Sequence, residues 1–257
     1  QYPKSQTVNF LNPASYSRLK ITSFDLGFDV ENQILRERNV TEKYKATYAN
    51  VSYIQLGIPL SRKRNIAMVF GLRPISRINY NIRNYTRELN PVTGNSIDST
   101  LTIYEGTGGS YQAYGGLGKA FGKLSLGLNG GYFFGTKDFS TKKNFLNDSV
   151  LYYKGNYQTK INFGGLFLQT GAQFSTKIGS STRLVLGATA SFKKDFNAKK
   201  NLVRETFEYD GSGGIVTKDS VYEEKDVAGK VTFPGTYGAG FTIEKEEWYT
   251  YDKSPRS

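Results

Sequence analysis

Two glycine-bearing stretches and two carboxylate pairs are where this sequence comes nearest to chemistry. "GGLGKAFG" (Gly115–Gly122) has glycines spaced as in loops that cradle phosphates. Such a loop needs a helix behind it, whose N-terminal amides hold the anion. Strand-like segments flank the stretch on both sides, so it reads as a strand end and a turn. "EYDGSGG" (Glu208–Gly214) hints at a calcium loop, but the ligand spacing of an EF-hand is not met, and a hairpin tip is the better reading. Glu223 with Glu224, and Glu246 with Glu247, are adjacent in sequence. Neighbours on a strand point to opposite faces, so neither pair makes an acid–base dyad.

The composition closes most other catalytic routes. The 257 residues include no Cys and no His. That removes zinc fingers, thiol nucleophiles, serine triads and a histidine general base. The expectation is a non-enzyme, with no catalytic residue, no cofactor and no metal. No apolar run approaches the roughly 20 residues of a transmembrane helix. The start carries neither Met nor a signal peptide, so the sequence reads as mature or trimmed. Mean hydropathy is −0.48. A transmembrane β-barrel alternates apolar and polar residues, so an ordinary mean does not argue against one.

The elements available to position side chains are strands. In "KITSFDLGFDV" (Lys20–Val30), Thr22, Phe24, Leu26, Phe28 and Val30 share one face. Ile21, Ser23, Asp25, Gly27 and Asp29 take the other. Period-two alternation recurs in Tyr44–Leu60, in Ile66–Ile82, and from Leu124 to Phe134. In the last, Leu124, Leu126, Leu128, Tyr132 and Phe134 oppose Ser125, Gly127, Asn129 and Gly131. Connections alternate in length. "SRKRN", "KAFGK" and "KIGSST" are short, whereas the segments after Val30, Ile82, Phe134 and Phe192 are long, charged and rich in Tyr or Asn. Polar loops are expected over Arg83–Ser99 and Thr136–Ser149, and a charged hairpin from about Asn197 to Lys230. Short turns at one end and long loops at the other are the layout of an outer-membrane barrel. Gly106–Gly135 is dense in glycine, which relieves crowding on the inside of a closed barrel.

The charge is strongly basic: Lys+Arg 34 against Asp+Glu 22, a net +12. The basic residues fall mostly at turns and strand ends. That position suits phosphates of outer-membrane lipid and lipopolysaccharide. Nucleic-acid binding would want basic and aromatic residues interleaved on one face, as "INYNIRNYTRE" (Ile78–Glu88) only partly offers. No nucleic-acid partner is expected.

"NFLNPASYSRLKITSFDLGF" (Asn9–Phe28) resembles the start of the FadL/OMPP1 family of outer-membrane transport proteins, with Asn-Pro-Ala followed by a first strand containing Phe-Asp-Leu-Gly. "FPGTYGAGFTIEKE" (Phe233–Glu246) looks like a late strand of the same family. The texture is similar to members from Bacteroidetes, a group that includes barrels of the type IX secretion system. The resemblance implies an all-β fold, an antiparallel transmembrane barrel of fourteen strands. It implies an N-terminal plug over residues 1–19, with Asn12, Pro13 and Ala14 in it, and the barrel over residues 20–257. Pro13 fixes its own φ and restricts Asn12, so a tight non-helical structure is expected there. A plain turn before the first strand is the other reading.

In transporting members of that family, a kink in the third strand opens the wall sideways. Gly71 and Pro74 in "FGLRPIS" are the candidate kink here, since Pro cannot donate to a ladder. The plainer reading, which is preferred, places Pro74 just past the strand end, at the external rim. About ten strand segments are visible, and "EEWYTYDKSPRS" is no closing amphipathic strand, so the expectation is that further strands lie outside this sequence.

The expected function is that of an integral protein of the Gram-negative outer membrane. It would pass hydrophobic small molecules, or serve as a partner barrel in an outer-membrane export or secretion complex. The alternative is a soluble extracellular β-sandwich for glycan binding or adhesion.

Overall fold

The computed structural model describes residues 8–36, 43–89, 92–94, 96–146, 153–178, 181–212 and 214–245. Glu246, Glu247 and the remaining C-terminal residues lie outside them, as do residues 1–7 of the expected plug. The fold is almost entirely antiparallel sheet. A 3-10 segment, Pro13–Arg18, precedes ten strands. These are β1 (Ser23–Arg36), β2 (Lys43–Ser61), β3 (Ile66–Leu89), β4 (Ser96–Phe121), β5 (Leu124–Phe145), β6 (Lys154–Ile178), β7 (Thr182–Ser191), β8 (Lys194–Tyr209), β9 (Ile215–Phe233) and β10 (Thr236–Lys245).

The strands form one meander, β1 to β6, with a divided continuation. β7 pairs with the C-terminal part of β6, from Gln169↔Ser191 to Ile178↔Thr182. β8 pairs with its N-terminal part, from Gly164↔Asn197 to Lys154↔Phe207. β9 then pairs with β8, and β10 with β7. β7 with β8, and β9 with β10, are therefore two long strands, each broken once. Pro234 and Gly235 make the second break, where proline removes a ladder donor. Among the described residues, β1 pairs only with β2, β9 only with β8 and β10 only with β7.

Several strands run far past the apolar segments that announce them. β3 continues to Leu89, β4 begins at Ser96, and β5 continues to Phe145. This corrects the polar loops expected over Arg83–Ser99 and Thr136–Ser149. It also shortens the connection expected after Val30, since β1 reaches Arg36, and replaces the one after Phe192 with the start of β8. The physical reason is that a ladder is held by backbone hydrogen bonds and needs no apolar side chains. Polar cross-strand groups stabilise these extensions. Asn81 Nδ2 donates to Glu105 Oε1 at 2.8 Å, Lys142 Nζ meets Glu105 Oε2 at 2.6 Å, and Gln158 Nε2 donates to Asp138 Oδ1 at 2.8 Å.

Lower in the sheet the outer face is apolar, while the inner face is polar or small except where Phe133, Phe163 and Phe196 cluster on it. Along β5, Leu124, Leu126, Leu128, Tyr132 and Phe134 are exposed, while Ser125, Asn129 and Phe133 are buried. Phe24, Leu26, Phe28 and Val30 of β1 are exposed as well. Cross-strand pairing joins these into rows: Leu26 to Ile54, Leu72, Ala113, Tyr132 and Leu166. The outer face thus carries a continuous apolar band. Such a band is unfavourable in water and favourable against lipid.

Candidate functional site

Residues 8–19 lie on the inner face of the sheet, and local sequence dictates their shape. Asn12 is extended (φ −132°, ψ 103°), as a residue before proline should be. Its Oδ1 accepts from Ala14 N at 3.0 Å, capping the 3-10 segment that Pro13 begins. Ser17 Oγ donates to the Ala14 carbonyl at 2.9 Å, and Leu19 N closes the segment on Tyr16 O at 2.9 Å.

The same Asn12 side chain ties the segment to the sheet. Its Nδ2 donates to the carbonyls of Ala172 in β6 (3.2 Å) and Ala188 in β7 (3.4 Å). Farther along, Val8 N donates to Asp25 Oδ2 at 2.8 Å, and Gln55 Nε2 donates to Val8 O at 3.0 Å. Gln169 Nε2 donates to Leu11 O at 3.1 Å. The segment thus bridges β1, β2, β6 and β7.

Glycines make room for it. A Cβ on Gly118 would meet Pro13 O at 2.7 Å, and one on Gly57 would meet Val8 and Leu19 side chains at 2.8 and 2.9 Å. A Cβ on Gly127 would overlap the backbone of Pro13 and Ala14, and one on Gly171 would overlap Asn12 and Pro13. Glycine is required at these positions by the close approach of the segment's backbone (Gly118, Gly127) or side chains (Gly57, Gly171), not by turn geometry. Val8, Tyr16, Leu19, Ala67, Val69 and Tyr114 form the apolar cluster beneath. Ala14 and Tyr16 are fully buried. Burial pushes the Tyr16 phenol up to about 12, partly offset by the Asn129 side chain and the Arg73 charge.

Gly71 and Pro74 lie inside β3, which continues to Leu89, so Pro74 does not sit past the strand end. A Cβ on Gly71 would meet the Tyr114 ring at 2.6 Å. The ladder to β4 shifts register between Pro74 and Ser76. On the other side, β3 pairs with β2 only from Ser61↔Ile66 to Ile54↔Leu72. Beyond Leu72 the two strands separate, each keeping its other neighbour. A space of about 420 Å³ opens there, bordered by Val51, Ile54, Leu72, Pro74, Ile78 and Tyr111. A second space, of about 410 Å³, lies between the 3-10 segment and β7 and β10, beside Asn12, Arg18, Gly187 and Phe241.

The sequence singled out Asn12, Pro13 and Ala14, which the structure brings together, and Gly71 and Pro74, which lie on a different part of the wall. Sequence reasoning missed Tyr16 and the individual glycines beneath the segment. Their signal was alternation: Gly116 and Gly118 on one strand, and Gly127 on the next, share a face, with Gly118 paired to Gly127. The stretch Gly115–Gly122 is part of β4 and its turn. At the β8–β9 tip, Asp210 Oδ1 accepts from Ser212 N at 3.0 Å and Gly214 N at 2.6 Å, so the carboxylate that suggested a calcium ligand shapes the turn.

A family model described as BamG matches residues 1–253. No curated protein and no solved structure matches the chain.

Proposed function

The chain belongs to the BamG family, and from that premise we propose that it is an integral outer-membrane barrel acting as a partner in an assembly of outer-membrane proteins. The observation that carries this reading is the outer apolar band, with Leu124, Leu126 and Leu128 exposed and Ser125 and Asn129 buried. That period-two inversion of a soluble core is what lipid demands. The β8–β9 hairpin supports the partner role. β9 is exposed almost throughout, on both faces, and bears charges of both signs. A strand exposed on both faces, with one edge outside any ladder among the described residues, is a ready surface for another protein. No step of this role needs catalysis. Purification from outer membranes in mild detergent, with crosslinking, tests it. Migration in a complex with other outer-membrane proteins is expected. A lone chain, or one recovered from the aqueous phase, contradicts it.

The separation of β2 from β3 favours a second reading, passage of hydrophobic small molecules through the wall. The opening beside Pro74 is bordered mainly by apolar side chains. Liposomes carrying the protein would then take up a fluorescent long-chain fatty acid faster than bare liposomes; equal rates would end this reading.

A further inference from the structure

The short-turn end of the sheet has an unusual charge. In the turns 61–66, 119–124 and 176–183, every charged residue is a cation: Arg62, Lys63, Arg64, Lys119, Lys123, Lys177 and Arg183. Part of this charge converges on a cup of about 280 Å³. Arg18 from the 3-10 segment, Lys20, Lys123 and Arg183 line it, with the side chains of Ser17, Ser125 and Ser175. No carboxylate lines it. Among the described residues, none of the four cations is in an ion pair.

The polar partners of these cations are neutral. Lys20 Nζ donates to Asn65 Oδ1 at 2.7 Å, and Lys123 Nζ to Thr176 Oγ1 at 3.4 Å. Arg18 is held below the usual guanidinium range, first by burial and then by the like charge of Arg183; Glu244 opposes this only in part. Glu244, the cross-strand partner of Arg183, lies outside the cup, and two half-buried guanidiniums only partly compensated by it favour an anion between them.

We propose that this cup and the surrounding turns bind an acidic peptide segment of another protein. The cup is lined by Ser125, which is buried on the inner face, and not by Leu124 or Leu126 of the apolar face. A single small anion would satisfy the cup and leave the cations of the other turns unmet. Successive hairpin turns lie two strand spacings, roughly 10 Å, apart. An extended chain with carboxylates on one side can reach one turn after another. Complementary charge of this kind steers a partner and fixes its register. The site stands on the geometry of this end alone; that this short-turn end faces the periplasm follows only from the barrel reading above.

The test uses the full chain in detergent and a fluorescein-labelled octaglutamate peptide, followed by anisotropy. Saturable binding that weakens as salt rises is expected. The Lys123→Glu/Arg183→Glu variant is expected to bind about tenfold more weakly or worse. The Arg62→Glu/Lys63→Glu/Arg64→Glu variant, altered only in an exposed turn, is expected to weaken binding too and guards against a folding defect. Tripolyphosphate should compete poorly with the peptide. No peptide binding, equal binding by all variants, or full displacement by tripolyphosphate would each overturn the proposal. A protein found in the aqueous fraction would instead overturn the barrel reading and leave the peptide result standing.

Discussion

Gly127 lies directly beneath Pro13, so closely that a Cβ at residue 127 would overlap the Pro13 carbonyl and the Ala14 nitrogen. The wall and the N-terminal segment are therefore fitted to one another at backbone level. Neither can change shape without moving the other.

Gly127→Val is expected to weaken docking of residues 8–19 by about 1–3 kcal/mol, the usual cost of overpacking. Gly130, on the same strand, is the control. Its Cβ would meet nothing nearer than 3.9 Å, so Gly130→Val should be tolerated. Protease cleavage at Arg18 and Lys20 in detergent reads the difference. Equal cleavage of both variants would contradict the fit.

Asn12→Asp should be more damaging than Asn12→Ala. Alanine removes the cap and the two bonds to Ala172 and Ala188, a loss of about 1–3 kcal/mol. Aspartate keeps the acceptor for Ala14 N but turns a buried charge onto two carbonyl oxygens. Urea dependence of the folded, fast-migrating gel band measures both. Wild-type behaviour of Asn12→Asp would show that the donor contacts do not hold the segment.

Alkali should release the segment through Tyr16. Burial favours the neutral phenol and moves its pKa from 10.0 to about 12. The folded-state value is raised, so this contribution is full below pH 10 and is lost as pH rises through about 12. Tyr16→Phe should flatten that part of the alkaline stability curve. An unchanged slope would place the alkaline transition elsewhere among the tyrosines.

Much of the fold was legible because strands with one apolar and one polar face have a simple rule. Leu124, Leu126 and Leu128 announced one face of β5, and "SRKRN" and "KAFGK" announced the β2–β3 and β4–β5 turns. What was not legible was strand length. Arg83–Leu89 and Thr136–Phe145 look like polar loops because polar residues fall on both faces of each, yet their backbones remain in the ladder. The division of one strand into β7 and β8 was equally hidden, since it depends on which half of β6 each finds. At the inner site, Asn12-Pro13-Ala14 was readable from proline geometry. Tyr16 was not, because a buried tyrosine under a short segment has no periodic signature. Pro74 was readable as a ladder defect, but the parting of β2 from β3 at Leu72 is a pairing fact that one strand's sequence does not contain.

Leu128→Arg should impair insertion. Leu128 is exposed and pairs with Leu117 inside the apolar band. An arginine near the bilayer midplane costs about 2–4 kcal/mol. Val221→Arg, on the water-exposed β9, should cost almost nothing. Folding yield into lipid vesicles compares them, and equal yields would contradict the band.

Lipid contact itself can be read residue by residue. The chain contains no cysteine, so each introduced cysteine is unique. Single substitutions at Ser125, Leu126, Leu128 and Asn129, labelled with a small fluorophore, can be tested in vesicles of brominated lipid. Strong quenching at residues 126 and 128, with weak quenching at residues 125 and 129, is the result predicted for a wall facing lipid. Uniform or absent quenching would mean that the apolar face of β5 covers protein, and that the chain is not a membrane barrel.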